Sequence, residues 1–126
     1  MECECVFCEI IRGNSPSTKV YEDEHVLAFL DKNPVTQNHT LIVPKKHYAD
    51  LYDIPENELK SLLVAAKRIT LQYKVEYGFN GVNILHASGA DAQQSVMHFH
   101  LHLVPRRQGD GLDHFLLPAC LSSEGE

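Results

Sequence analysis

Three histidines set two residues apart dominate the chemistry this chain can offer. They are His98, His100 and His102, inside the stretch Ser95-Val-Met-His-Phe-His-Leu-His-Leu-Val-Pro-Arg-Arg107. Strict alternation of polar and apolar residues argues for a half-buried β-strand, with Phe99, Leu101 and Leu103 turned into the core. The three rings then stand in a row on one face, neighbours roughly 6.5–7 Å apart. Such a row admits three readings: the polar face of a strand, a metal site, and nucleophilic or acid–base catalysis by imidazole itself. A second constellation is Cys5-Val-Phe-Cys8. Cys3, Cys5, Cys8 and Cys120 are the four cysteines, and three of them crowd the first eight residues, which is not how a disulfide framework is spread. In a reducing compartment Cys-x-x-Cys reads as metal or redox. The redox motif asks for a preceding strand that has no room here, so metal is the preferred reading.

The elements that must position these groups follow from pattern. Phe7 to Arg12 predicts a short helix behind the Cys pair, stopped by Gly13-Asn-Ser-Pro16. Lys19 to Tyr21 and His25 to Leu30 predict a hairpin around Glu22-Asp-Glu24, and Asp31 closes its second strand. Asn33-Pro34 opens a loop to Asn38. Thr40 to Val43, stopped by Pro44, predicts a buried strand, and Lys45-Lys-His47 a basic edge. Pro55 to Tyr77 predicts one long helix, since Leu59, Leu62, Leu63, Ala66, Ile69 and Tyr73 recur at three- and four-residue spacing. Pro55 suits its first position, Glu56 and Glu58 the positive end of the dipole, Lys74 the negative end, and Gly78 the stop. Gly81 to Leu85 predicts a strand, and His86 to Gln94 the loop that delivers the chain to the histidines.

Patterning fades after Pro105. Leu112 to Leu117 is expected to pack on the body or on a partner, and Ser122 to Glu126 to be loose. Strands around one long helix indicate an antiparallel α+β domain rather than βαβ units. The expectation is one domain over residues 1–126, with a core of about 5–107 and a C-terminal extension over 108–126. It has a roughly five-stranded antiparallel sheet, one long helix and one short N-terminal helix.

Composition bounds the function. The 126 residues are 44% apolar and 22% charged, ordinary for a globular chain, and no apolar run approaches a membrane span. Met-Glu-Cys-Glu-Cys5 is acidic where a secretory leader would be basic, so a cytoplasmic protein is expected. A net charge of −6 argues against a nucleic-acid polymer as partner. A single nucleotide needs only a local pocket.

His98-Phe-His-Leu-His102-Leu-Val104 matches, position by position, the His-φ-His-φ-His-φ-φ signature, and so resembles the histidine triad family of nucleotidyl hydrolases and transferases. Cys5 to Gly13, Val26 to Asp31, His39 to His47 and Gln94-Ser-Val96 resemble its other landmarks, in the family's order. The resemblance implies a nucleotide-binding hydrolase or transferase acting at the α-phosphorus of a purine nucleoside phosphoramidate or related nucleotide. His100 would form a covalent nucleotidyl intermediate, and His102 would bind a non-bridging phosphate oxygen. His98 would assist the leaving group or fix the site from behind, and Ser95 would contact the scissile oxygen. Asp31 would hold the ribose diol. Ser88, Gly89 and Gln94 would lie around the phosphate, and Ile10, Leu27 and Phe29 would line the base pocket. The bacterial-type Cys pair implies a structural zinc held by Cys5, Cys8, His47 and His98, with no cofactor needed for the chemistry. His39 would pack behind the triad.

A homodimer with one continuous sheet is also implied, consistent with apolar Val64, Leu71 and Val75 on further sides of the long helix. Two departures stand out. Ala87-Ser-Gly89 replaces the usual Asn-x-Gly, with Ser88 the substitute for the asparagine. Gln93 replaces a glycine, where a positive φ would be costly. Alternatives are a dinucleoside polyphosphate hydrolase, a nucleotide-binding protein with vestigial catalysis, and a hydrolase using the triad as zinc ligands.

Overall fold

The computed structural model describes residues 5–112. In chain order it contains α1 (Val6–Ile11), β1 (Lys19–Glu22), β2 (Val26–Leu30), β3 (Thr40–Pro44), α2 (Glu56–Tyr77), β4 (Gly81–Leu85), a 3₁₀ turn (Ala90–Ala92) and β5 (Leu101–Arg106). The strands form one sheet in the order β1-β2-β3-β5-β4, every neighbour antiparallel. This is the α+β architecture expected. The readings made for residues 113–126, and for Cys3 and Cys120, lie outside the described residues.

The two helices cover opposite faces of the sheet. On one face α2 lays Leu62, Ala66, Ile69 and Tyr73 against Val26, Ala28, Ile42, Phe99, Leu101 and Leu103. On the other, α1 sets Phe7 and Ile10 against Leu27, Phe29, Leu41 and Val43. Central strands buried on both sides lose the alternation of a half-exposed strand, which is why β2 and β3 read as unbroken apolar runs.

Two expectations need correction. The strand expected to carry all three histidines begins only at Leu101, so His98 and His100 precede it. Pairing with β3 ends at Ile42 with Leu101, and pairing with β4 ends at Leu85 with His102. Pro44 has no N–H to extend the ladder. Residues 98–100 are tied down differently: the His98 ring donates from Nε2 to the Pro44 carbonyl at 2.9 Å, and the Phe99 amide donates to the Tyr48 carbonyl at 2.6 Å. Alternation survives the change, since Phe99 stays in the α2 core. The histidine side is covered rather than solvated, His98 being 0% and His100 5% exposed.

The second correction concerns α2, where Leu63 is 51% exposed and Ala65 takes its expected place in the core. Leu63 lies about 100° around the helix from Leu62, beyond the edge of the buried stripe. Pro55 is the N-cap rather than the first helical residue, and Gly78 closes the helix in the left-handed region at φ 76°. Among the described residues no helix is long and apolar enough to cross a membrane.

The core face of α2 is testable by urea denaturation. Leu62→Ala, which empties a fully buried site, is expected to cost about 2–5 kcal/mol, whereas Leu63→Ala should stay within about 1 kcal/mol of the parent. Equal losses at the two positions would contradict this packing.

Candidate active site

A cavity of about 790 Å³ opens between α1, the ends of β2 and β3, and the approach to β5. Its size suits a mononucleotide. Of the residues singled out by sequence, Ile10, Phe29, Asp31, Ser95, His100 and His102 line it. Leu27 is buried in the core under α1. Ser88, Gly89, Gln94 and His98 do not reach the cavity wall, and their hydrogen bonds show why.

Each imidazole has one nitrogen committed to a partner, and that partner decides what the other can do. His100 donates from Nδ1 to the backbone carbonyl of His98 at 2.7 Å. Its Nε2 therefore keeps a lone pair, on a ring that lines the cavity and meets Phe7 in a T-shaped contact at 5.1 Å between centroids. At His102 the assignment passes through a neighbour. The Val35 amide donates to His39 Nδ1 at 3.1 Å, so the His39 proton sits on Nε2, 3.0 Å from His102 Nδ1. His102 accepts there, and its own proton is left on Nε2. Burial holds His102 well below the ordinary imidazole range, at about 4, with His100 and His39 adding to the effect. Burial lowers His100 and His39 in the same direction. The rings are neutral near pH 7.

Asp31 also lines the cavity. Its Oδ1 accepts from the Asn33 amide at 2.9 Å, and its Oδ2 lies 3.6 Å from His39 Nε2. A carboxylate fixed this way can accept hydrogen bonds from a diol.

Behind the cavity, four donors converge. His98 Nδ1 lies 3.3 Å from Cys5 Sγ, 3.5 Å from Cys8 Sγ and 3.1 Å from His47 Nδ1, and His47 Nδ1 lies 3.8 and 3.4 Å from the two sulfurs. A tetrahedral zinc with Zn–S near 2.3 Å and Zn–N near 2.05 Å would separate its donors by about 3.3–3.8 Å. The donor set fits. His98 Nε2 donates to the Pro44 carbonyl, which leaves Nδ1 unprotonated and facing the cluster, as a metal ligand requires. Burial depresses this ring to about 4, keeping it neutral. A ligand must be a thiolate, so the four-donor set belongs to the reduced chain. Asp31, His39 and His102 also cluster, but the Val35 amide occupies His39 Nδ1 and places a proton on the nitrogen that would have to ligate. That cluster does not fit a metal.

The loop before Ser95 is held from within. Gln94 accepts from the Gly89 amide at 2.7 Å and donates to the carbonyls of Ala49 at 2.6 Å and Val96 at 2.9 Å. It braces the segment that presents Ser95. Ser88 Oγ accepts from the Leu51 amide at 2.8 Å and contacts His86 Nε2, so its hydroxyl faces away from the cavity. Gln93 does adopt the positive φ anticipated, 67° with ψ 36°, a conformation costing a side-chain-bearing residue roughly 1–2 kcal/mol. His86 was missed by sequence reasoning. Its signal was its place directly after β4, beside the histidine strand.

A family model described as the HIT domain matches residues 12–109. An uncharacterized HIT-like protein of Methanocaldococcus jannaschii is 49% identical over 107 residues, 85% of this chain and 82% of its own length. A protein of Arabidopsis thaliana named adenylylsulfatase HINT3 is 38% identical over 112 residues, 89% of this chain and 57% of its own. Among solved structures, a zinc-bound histidine triad family protein from Mycobacterium smegmatis superposes with a TM-score of 0.83 at 42% identity. That match covers 86% of this chain and 79% of the other.

The depressed His102 ring makes stability depend on pH. In the unfolded chain the ring protonates near 6.5, whereas the folded ring resists until about 4. Its contribution is therefore present above about 6.5 and drains away as pH falls toward 4. Urea midpoints of the parent and His102→Gln should accordingly draw together between pH 7 and pH 5, and a gap independent of pH would contradict the assignment.

Proposed function

The chain belongs to the HIT domain family, and from that premise we propose that it is a nucleotide-binding hydrolase. It acts at the α-phosphorus of purine nucleoside phosphoramidates or related nucleotides, through a covalent nucleotidyl-His100 intermediate. The observation that carries this reading is the His100 ring. Its Nδ1 is committed to the His98 carbonyl, and its neutral Nε2 belongs to a ring facing a nucleotide-sized cavity. A neutral nucleophile approaches an anionic phosphoryl group without charge repulsion. As the Nε2–P bond forms, the P–N bond breaks, and the amine leaves neutral with a proton taken from water. The hydroxide equivalent left behind then displaces His100 from phosphorus and yields the nucleoside monophosphate.

His102, with its proton on Nε2, donates to a non-bridging oxygen as charge gathers there. Asp31 takes the ribose hydroxyls, Ile10 and Phe29 flank the base, and Ser95 contacts the phosphoryl group. Of the two roles open to His98, the geometry favours fixing the site, because neither ring nitrogen faces the cavity. The name of the Arabidopsis relative supports hydrolysis of an adenylyl compound.

Cys5, Cys8, His47 and His98 are proposed to hold zinc, which when bound supplies a structural cross-link between α1 and the segments around residues 47 and 98. A reducing, cytoplasmic setting would keep the sulfurs available. A homodimer is supported by the apolar residues left exposed on α2, Leu63, Val64, Leu71 and Val75, together with Ile84 on the edge strand β4.

Two measurements address these points. The parent should hydrolyse adenosine 5′-phosphoramidate and show an AMP adduct by mass spectrometry. His100→Ala should lose turnover by a factor on the order of 10⁴ or more and form no adduct while still binding AMP. A fully active variant would overturn the mechanism. Reduced protein should carry about one zinc ion per chain by elemental analysis, and Cys8→Ser should carry much less. Equal zinc in both would refute the cluster.

A further inference from the structure

His86 belongs to neither the cavity nor the four-donor cluster, yet it makes three contacts that converge on the nucleophile. Its Nδ1 donates to the backbone carbonyl of His100 at 2.9 Å. Its ring stacks on Phe99, 4.2 Å between centroids with planes 25° apart. With the proton on Nδ1, Nε2 accepts from Ser88 Oγ, which in turn accepts from the Leu51 amide. Ladder pairing between β4 and β5 stops at Leu85 with His102. One residue beyond that stop, a side chain supplies the donor that the backbone no longer provides to the His100 carbonyl.

We propose that His86 is a positioning residue for His100, an inference that rests on the nucleophile reading above. The His100 peptide would otherwise leave a part-buried carbonyl unpaired at the place where the sheet ends, and the ring attached to it would lose its aim. The Ser88 and Leu51 links tie this clamp to the loop that follows His47. His86, rather than the absent asparagine, therefore connects the loop of residues 86–94 to the reacting ring, and it does so through the backbone instead of through substrate.

The two nitrogens of His86 can be tested separately. Asparagine places an amide N–H near the position of Nδ1 and keeps the bond to His100, while glutamine reaches the position of Nε2 and keeps only Ser88. With adenosine 5′-phosphoramidate as probe, H86Q should lose about 10- to 100-fold in kcat with KM within about twofold of the parent. H86N should retain kcat within about threefold. The role is overturned if the two variants have the same kcat, whether parent-like or impaired, or if the loss falls on KM alone. Imidazole ¹⁵N spectra ask the same question without turnover. The His100 ring should be a single Nδ1–H tautomer in the parent and H86N, and an average of both tautomers in H86Q. Unchanged His100 signals in H86Q overturn the role. Absence of turnover in the parent would count against the hydrolase reading alone, leaving the spectra to decide on His86.

Discussion

An imidazole that gives one N–H to a backbone carbonyl has its other nitrogen defined, and the site of this protein is built almost wholly from that constraint. Residues 98–100 lie where both neighbouring ladders have ended, so sheet hydrogen bonds cannot hold them. Side chains take over. The His98 ring is tied to Pro44, the His100 ring to the His98 carbonyl, and the His100 carbonyl to the His86 ring. Each bond sets a tautomer as well as a position. The same residue 98 thus offers a lone pair to the sulfur cluster through its side chain and orients the His100 ring through its backbone. The four-donor cluster and the His100 ring are joined by one residue.

The short helix α1 closes this arrangement and depends on it. Six residues are far too few to be stable alone in water. Packing of Phe7 and Ile10 on β2 and β3 supplies the apolar burial, and Cys5 caps the helix by accepting from the Cys8 amide at 3.2 Å. In return, α1 forms a wall of the cavity and sets Phe7 in T-shaped contact with both His98 and His100. Burial under that wall lowers the histidine pKa values, so the element that shapes the pocket also keeps His100 neutral.

Much of this was legible in the sequence, and the misses share a cause. The alternation around His98 placed Phe99, Leu101 and Leu103 in the core correctly, because side-chain direction persists even where the ladder is lost. It misplaced the start of β5, because pairing ends are set by partners distant in sequence, Pro44 above all. The 3.6-residue period of α2 identified Leu62, Ala66, Ile69 and Tyr73. It could not separate Leu63 from Ala65 at the edge of the stripe, where the width of the groove decides. Cys5, Cys8, His47 and His98 were brought together by family resemblance, since nothing in the spacing from residue 8 to residue 47 carries that geometry. Ser88 and His86 were misjudged because a loop side chain has no period to read. In the folded chain the hydroxyl turns toward Leu51 and the ring toward residue 100.

The proposed chemistry asks a chain of net charge −6 to accept an anionic phosphoryl group in a largely apolar cavity. The answer lies in the order in which charge appears. With the rings neutral in the resting state, the site avoids the cost of burying three cations together. In the proposed reaction the phosphoryl group would enter among N–H donors and an uncharged ring nitrogen. Were Nε2 of His100 to bond to phosphorus, the ring would become cationic next to the phosphate oxygens. The positive charge would thus be generated where the negative charge already is. A permanently charged residue in the same place would have to be held against desolvation in the empty site. Burial that disfavours a free imidazolium would therefore leave the proposed nucleotidyl form with its partner charge built in, and low pKa values suit covalent chemistry by a neutral imidazole better than they would suit general acid catalysis.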